Sequence, residues 1–251
     1  MFESETATLL LLVTGVFLTS GFVKGAVGMG LPSISIGLLT LSGMSPAHAA
    51  AVMFLPALVT NLWQGLSGPA LVALAARFWS MMALAFVGTL LGSVVMVGAN
   101  AKLAVFALGI VLFLSTAFNM FAVRFRVPRR REWWLSPIMG MLTGLITGAT
   151  GAFVFPLIPY MGALELSREE LIQLLGLTAI LSSLALGIAL WWHGSLGFSL
   201  AGTAAFALLP AFAGMFIGQT VRRHISETAF RRVFQIGLLA LGLYLALKNI
   251  P

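Results

Sequence analysis

Two long stretches of this chain carry no charged side chain: Gly25 to Ala76 and Leu171 to Val221. Each contains a single histidine. Runs of that length cannot form the core of a soluble domain, where about a quarter of residues are charged. They suit a bilayer, which a helix crosses with about 20 apolar residues. The whole chain agrees, with 60% of its 251 residues hydrophobic and 8% charged. A β-barrel would alternate polar and apolar residues in segments of about ten, and this chain does not. The fold class expected is an all-α polytopic membrane protein.

Apolar segments run at 6–23, 31–43, 46–64, 78–98 and 102–123, then at 133–147, 152–163, 171–192, 197–221 and 229–247. Segments 31–43 and 152–163 are too short to cross a core of ~30 Å as straight helices. They are either halves of re-entrant hairpins or short tilted spans. Between the two sets lies a basic loop with Arg124, Arg126, Arg129, Arg130 and Arg131, and a second cluster holds Arg222, Arg223, Arg231 and Arg232. These account for nine of the 14 basic residues. The net charge of +7 therefore reflects positive loops held on the cytoplasmic side, and no nucleic-acid partner is expected. The start, Met1-Phe2-Glu3-Ser4-Glu5, is acidic. A signal peptide begins with basic residues, so the first span is expected to be retained. With no cysteine, disulfides and thiolate metal sites are excluded; no cofactor or metal is expected.

The chain repeats. Ser20-Gly21-Phe22-Val23-Lys24-Gly25-Ala26-Val27-Gly28 matches Thr143-Gly144-Leu145-Ile146-Thr147-Gly148-Ala149-Thr150-Gly151, and Pro32 then matches Pro156. Further on, Gly88 to Gly92 matches Gly214 to Gly218, and Val105 to Gly109 matches Val233 to Gly237. The offset grows from 123 (Ser20 to Thr143) to 128 (Val105 to Val233). This divides the chain into a first repeat, 1–125, a basic cytoplasmic linker, 126–131, and a second repeat, 132–251. With both basic clusters cytoplasmic, each half crosses an odd number of times, five or three. The repeats are then inverted, of about five helical segments each, with both termini outside and Arg77 inside.

Each repeat carries a Gly/Pro-broken helix pair near its start. Glycine and proline interrupt helices, and lipid cannot satisfy the exposed backbone groups. They are tolerable where they line a cavity or meet a ligand. Inverted repeats with matching broken helices are the pattern of secondary transporters. A helix N-terminus offers free N–H groups and the positive end of a dipole, which suits an anion. Candidate contacts at the first break are Lys24, Gly25, Gly28, Gly30 and Ser33, and at the second Gly148, Thr150 and Gly151. Asn61 and Gln64 lie in the span after the first break, Ser182 and Ser183 at the matching place in the second half. These four either bridge helices or contact substrate. Lys24 either snorkels to the interface or faces an anion path. The spacing of Gly21/Gly25 and Gly144/Gly148 fits close helix packing better than a ligand site.

Gly25-Ala26-Val27-Gly28-Met29-Gly30-Leu31-Pro32, its echo from Gly148 to Pro156, the chain length and the basic central loop resemble the sulfite exporter TauE/SafE family of membrane permeases. The resemblance covers nearly the whole chain. It implies transport of sulfur-containing anions such as sulfite, sulfoacetate or other organosulfonates. The location expected is the bacterial inner membrane, with the lipid bilayer and a small anion as partners and a homodimer as a candidate assembly. Thr147 stands where the first repeat has Lys24, so the lysine is not shared between the halves.

Other polar residues read as structural. Asn119 lies near a span end, His48 opens a helix after Ser45-Pro46, and His193 sits with Trp191 and Trp192 at an interface. Pro56 and Pro210 kink their spans. All seven acids are glutamates at termini or in loops, which argues against a carboxylate proton relay. With the inside negative, each negative charge moved outward gains ~2.3 kcal/mol per 100 mV, so membrane potential alone can drive anion export. Alternating access at a midplane anion site is the mechanism expected. The rivals are an anion channel, a permease for an unrelated small anion, and an assembly subunit. An enzyme would need a catalytic constellation, whereas the three histidines here are far apart.

Overall fold

The computed structural model describes residues 2–98, 101–121, 126–153, 155–222 and 227–250. They form ten helices: α1 (Phe2–Val27), α2 (Leu31–Leu41), α3 (Pro46–Leu66), α4 (Leu71–Val97), α5 (Ala101–Phe121), α6 (Arg129–Thr150), α7 (Leu157–Gly162), α8 (Arg168–Trp192), α9 (Phe198–Val221) and α10 (Glu227–Lys248). No described residue is in a strand. Five helices are long and apolar enough to cross a membrane, namely α1, α3, α4, α8 and α9, and α2, α5 and α10 contain shorter apolar stretches. The chain is an all-α polytopic membrane protein.

Small residues set the packing. A Cβ on Gly21 would lie 2.2 Å from the Ala211 carbonyl oxygen, and one on Gly25 2.1 Å from that of Met215. Gly214 and Gly218 meet the Leu18 and Phe22 carbonyls as closely in return. Both sets rise together along the chain, so α1 and α9 run parallel, backbone against backbone. The same interlock joins α4 to α6: Gly88 and Gly92 meet Met141 and Leu145, while Gly140, Gly144 and Gly148 meet Met81, Ala85 and Thr89. Without water to expel, membrane helices associate through such close contacts. Two further pairs are antiparallel. In α3 and α8, Gly65 abuts Gly176 and Phe54 abuts Gly187; in α5 and α10, Gly109 abuts Ala246 and Gly242 abuts Phe113.

The helices after each break turn back. Ser35 Oγ on α2 donates to Ser20 Oγ on α1 at 2.9 Å, so the two lie antiparallel. In the second hairpin the Val127 amide donates to the Ala163 carbonyl at 2.8 Å, and Ser136 Oγ lies 2.6 Å from the Tyr160 hydroxyl. The end of α7 thus returns to the start of α6. Segment 152–163 yields only the six residues of α7, because the chain is already turning at Gly151 and Pro156 caps the helix.

Several boundaries move outward from the apolar segments. α1 continues through Gly21, Lys24 and Gly25 to Val27, which confines the first break to Gly28–Gly30. α4 begins at Leu71, not near residue 78, and bends at Phe78, where φ is −117° and ψ 19°. It includes Arg77 because Glu132 holds that guanidinium in two bonds, at 2.8 and 2.6 Å. Arg129, Arg130 and Arg131 belong to the first turn of α6 and not to a loop. Two apolar clusters complete the body. One gathers α1, α2, α3 and α5 around Phe17, Ile36 and Leu112; the other gathers α4, α7 and α8 around Phe78, Met161 and Leu174.

Candidate functional site

The two breaks are closed by the same local device. Gly28 has φ +90° and its amide donates to the Lys24 carbonyl at 2.7 Å; Gly151 has φ +71° and its amide donates to the Thr147 carbonyl at 2.6 Å. Only glycine takes a left-handed backbone at no steric cost. α2 then starts on Gly30, also left-handed at φ +102°, with Pro32 in its first turn and no side chain capping it. Its first N–H groups have no intrahelical partners, so this end is open to an acceptor.

Lys24 sits in the last turn of α1 and is only 5% exposed. Its Nζ donates to Asn61 Oδ1 at 2.5 Å and to Thr60 Oγ1 at 3.0 Å. Thr60 sends its own hydroxyl hydrogen to the Pro56 carbonyl at 2.7 Å. Asn61 Nδ2 reaches Ser183 Oγ of α8 at 3.5 Å, which links the lysine through α3 to the second half. One turn along, Gln64 Nε2 donates to the Ile172 carbonyl at 2.9 Å. Gln173 answers from α8, donating to the Gly65 and Gly68 carbonyls at 3.0 and 2.8 Å and accepting from the Ala70 amide at 3.0 Å. Two glutamines thus clasp α3 and α8 from opposite sides.

Beside these groups lies a cavity of about 380 Å³, lined by Lys24, Gly25, Gly28, Gln64, Glu169 and Arg222 among others. This vestibule leads inward. A chamber of about 30 Å³ shares Lys24, Gly28 and Gln64 with it and adds Gly30, Pro32, Asn61 and Phe153. A third, of about 20 Å³, shares Pro32, Asn61 and Phe153 and adds Thr147, Gly151, Ser182 and Ser183. Each inner chamber has room for about one water. The three cavities overlap in their lining residues, from Arg222 at the end of α9 to Gly151 at the second break.

Most of the sequence-derived candidates therefore converge: Lys24, Gly25, Gly28, Gly30, Asn61, Gln64, Gly151, Ser182 and Ser183 all line this route. Ser33 is buried beside Pro32, and its Oγ, like that of Ser182, has no hydrogen-bond partner among the described residues. Two candidates sit apart. Gly148 faces α4, where its Cβ would lie 2.2 Å from the Thr89 carbonyl oxygen. Thr150 donates to the Ile146 carbonyl at 2.7 Å and accepts from the Ala152 amide at 3.1 Å. Thr60, Gln173 and Phe153 were not singled out from the sequence. Gln173 carries the same signal as Gln64, an amide inside an apolar segment; Thr60 and Phe153 carry none.

The sulfite exporter TauE/SafE family model matches residues 12–245. The chain belongs to that family. Comparison with curated proteins and with solved structures gives no match. The match spans both breaks, all three cavities and the interlocked pairs α1–α9 and α4–α6. The family is one of membrane transporters.

Proposed function

We propose that this protein carries a sulfur-containing anion, such as sulfite, sulfoacetate or another organosulfonate, by alternating access through the route between its two breaks. The observation that carries this reading is Lys24: an ionisable side chain buried beside a helix break, bonded only to neutral groups, at the junction of a vestibule and an inner chamber. A charge inside a membrane protein is costly and marks a substrate path. The open N-terminus of α2 adds backbone donors and a favourable dipole. Asn61, Gln64, Ser33, Ser182 and Ser183 supply further polar contacts, and Gly25, Gly28, Gly30 and Gly151 let the backbone come close to the ion. Gly148 and Thr150 support the second break from behind.

The packing supports the inverted repeat. The third helices of the two halves, α3 and α8, are antiparallel, and so are the fifth, α5 and α10. The first helix of each half runs parallel to the fourth of the other. The antiparallel pairs of equivalent helices are what one half turned over in the membrane against the other produces, and the parallel pairs are compatible with it. With the basic clusters cytoplasmic, the vestibule beside Arg222 opens inward and both termini lie outside, in a bacterial inner membrane. The bilayer and a small anion are then its partners, a homodimer being one possible assembly, and it performs no chemistry on its cargo.

The test is counterflow in proteoliposomes. Labelled sulfite or an alkanesulfonate should enter with saturable kinetics, and unlabelled anion inside should accelerate entry. Flux that neither saturates nor responds to internal anion would mark a channel instead.

A further inference from the structure

Two acidic or basic side chains are buried among the described residues, Lys24 and Glu132. Glu132 has Arg77 as its ion-pair partner. Lys24 has only Thr60 and Asn61. The hydrogen-bond inventory of that site is specific. Thr60 spends its hydroxyl hydrogen on the Pro56 carbonyl, so its oxygen accepts from Nζ, as Asn61 Oδ1 does. Two acceptors stand before the nitrogen. A neutral amine has two N–H donors and one lone pair, whereas an ammonium has three donors and no lone pair. The protein's own acceptors therefore match the two N–H groups of the amine, and the third N–H of the ammonium points to the cavity, where an anion can accept it. The cavities hold the space for one: Lys24 lines both the vestibule and the first inner chamber. The charged groups that the surrounding helices turn to these cavities are Glu169 of α8 and Arg222 at the end of α9; α2 and α3 contribute none. Neither is bonded to Lys24 among the described contacts.

We propose that Lys24 takes up one proton with each anion it binds and gives up both on the opposite face, so that the protein is a proton–anion symporter. This rests on the transport reading. The step balances simply. A proton from vestibule water joins the Nζ lone pair, the new N–H donates to an oxygen of the anion, and on release that N–H breaks and the proton returns to water. No electrons change hands. The empty carrier then resets with a neutral amine, which avoids moving a buried ammonium that has no partner. The electrical consequence differs from that of bare anion export. A monoanion moves with no net charge, and a dianion moves one negative charge instead of two.

The full-length protein in liposomes containing pyranine, clamped at zero potential with potassium and valinomycin, tests this. Isethionate, thiosulfate and benzenesulfonate serve as labelled probes, because none binds a proton near neutrality. Inward flux of a transported probe should acidify the interior with about one proton per anion, and isethionate flux should change less than twofold between −100 and +100 mV. Labelled flux with a flat pyranine signal overturns the proposal and leaves the transport reading intact. No flux of any of the three, with sulfite and sulfoacetate inert as well, overturns both. Lys24→Arg, which keeps a fixed charge, should lose net flux at least tenfold, and Lys24→Gln should lose proton movement. Proton movement coupled to anion in either folded variant also overturns the proposal.

Discussion

At the residue scale the site depends on which polar groups have partners. Asn61 is the hinge of the network, since it accepts from Lys24 and reaches Ser183. Hydrogen bonds to charged groups contribute roughly 1.5–3 kcal/mol. Asn61→Leu should therefore weaken anion binding by about tenfold or more, as read by calorimetric titration; unchanged affinity would remove Asn61 from the site. Ser182 makes the opposite prediction for stability. Its Oγ is buried without a partner among the described residues, and removing an unsatisfied buried group relieves a penalty of about 1–3 kcal/mol. Ser182→Ala should keep or raise the melting temperature while weakening anion binding. A lowered melting temperature would mean that the hydroxyl serves the fold. The lysine, the amides and the serines were visible in the sequence as polar residues inside apolar segments. The bond from Lys24 to Thr60 and Asn61 was not, because it spans a separation in sequence that no local pattern encodes.

At the scale of elements, glycine has two separate tasks. In α1, α4, α6 and α9 it removes the Cβ that would hold helices apart; at Gly28 and Gly151 it supplies a left-handed turn. Gly144→Leu should disrupt α4 and α6, because its Cβ alone would meet the Ala85 carbonyl oxygen at 2.3 Å. Overpacking costs typically 1–3 kcal/mol, and each kcal/mol lowers the melting temperature by about 2–4 °C in a chain of this size. A thermal melt of the detergent-solubilised variant checks this, and an unchanged midpoint would contradict the interlock. Gly28→Ala should instead act on the break, with nothing crowding its Cβ but a backbone that alanine takes only under strain. Reduced flux with preserved helix content is the expected result. The four-residue glycine spacing made the packing role legible in advance. The helix ends were less legible, because apolarity alone decides neither. α4 extends past Arg77 because Glu132 neutralises it, and α6 begins at Arg129 because its arginines face out of the bundle.

Across the whole molecule the close pairs exchange partners between the halves: α1 with α9, and α6 with α4. If each pair moves as a rigid unit, the moving bodies mix the repeats, and the antiparallel α3 and α8 lie between them. The chain has no native cysteine, so introduced ones report cleanly. Cysteines at Arg130 and Ser226 should be labelled from the same, cytoplasmic side; labelling from opposite sides would contradict the inverted repeat. A disulfide between α1 and α9 should leave flux intact, whereas one joining Gln64 of α3 to Ile172 of α8 should block it.

The most direct measurement is the thermal stability of the purified protein against sulfite, sulfate, thiosulfate, taurine, sulfoacetate and aryl sulfonates, in the wild type and in Lys24→Met. A ligand that binds the native state stabilises it by about 2.7 kcal/mol at a hundred times its dissociation constant. At least one sulfur-containing anion should raise the wild-type midpoint by several degrees, and the methionine variant should lose that shift. An equal shift in both proteins, or none with any anion, would contradict an anion site at Lys24.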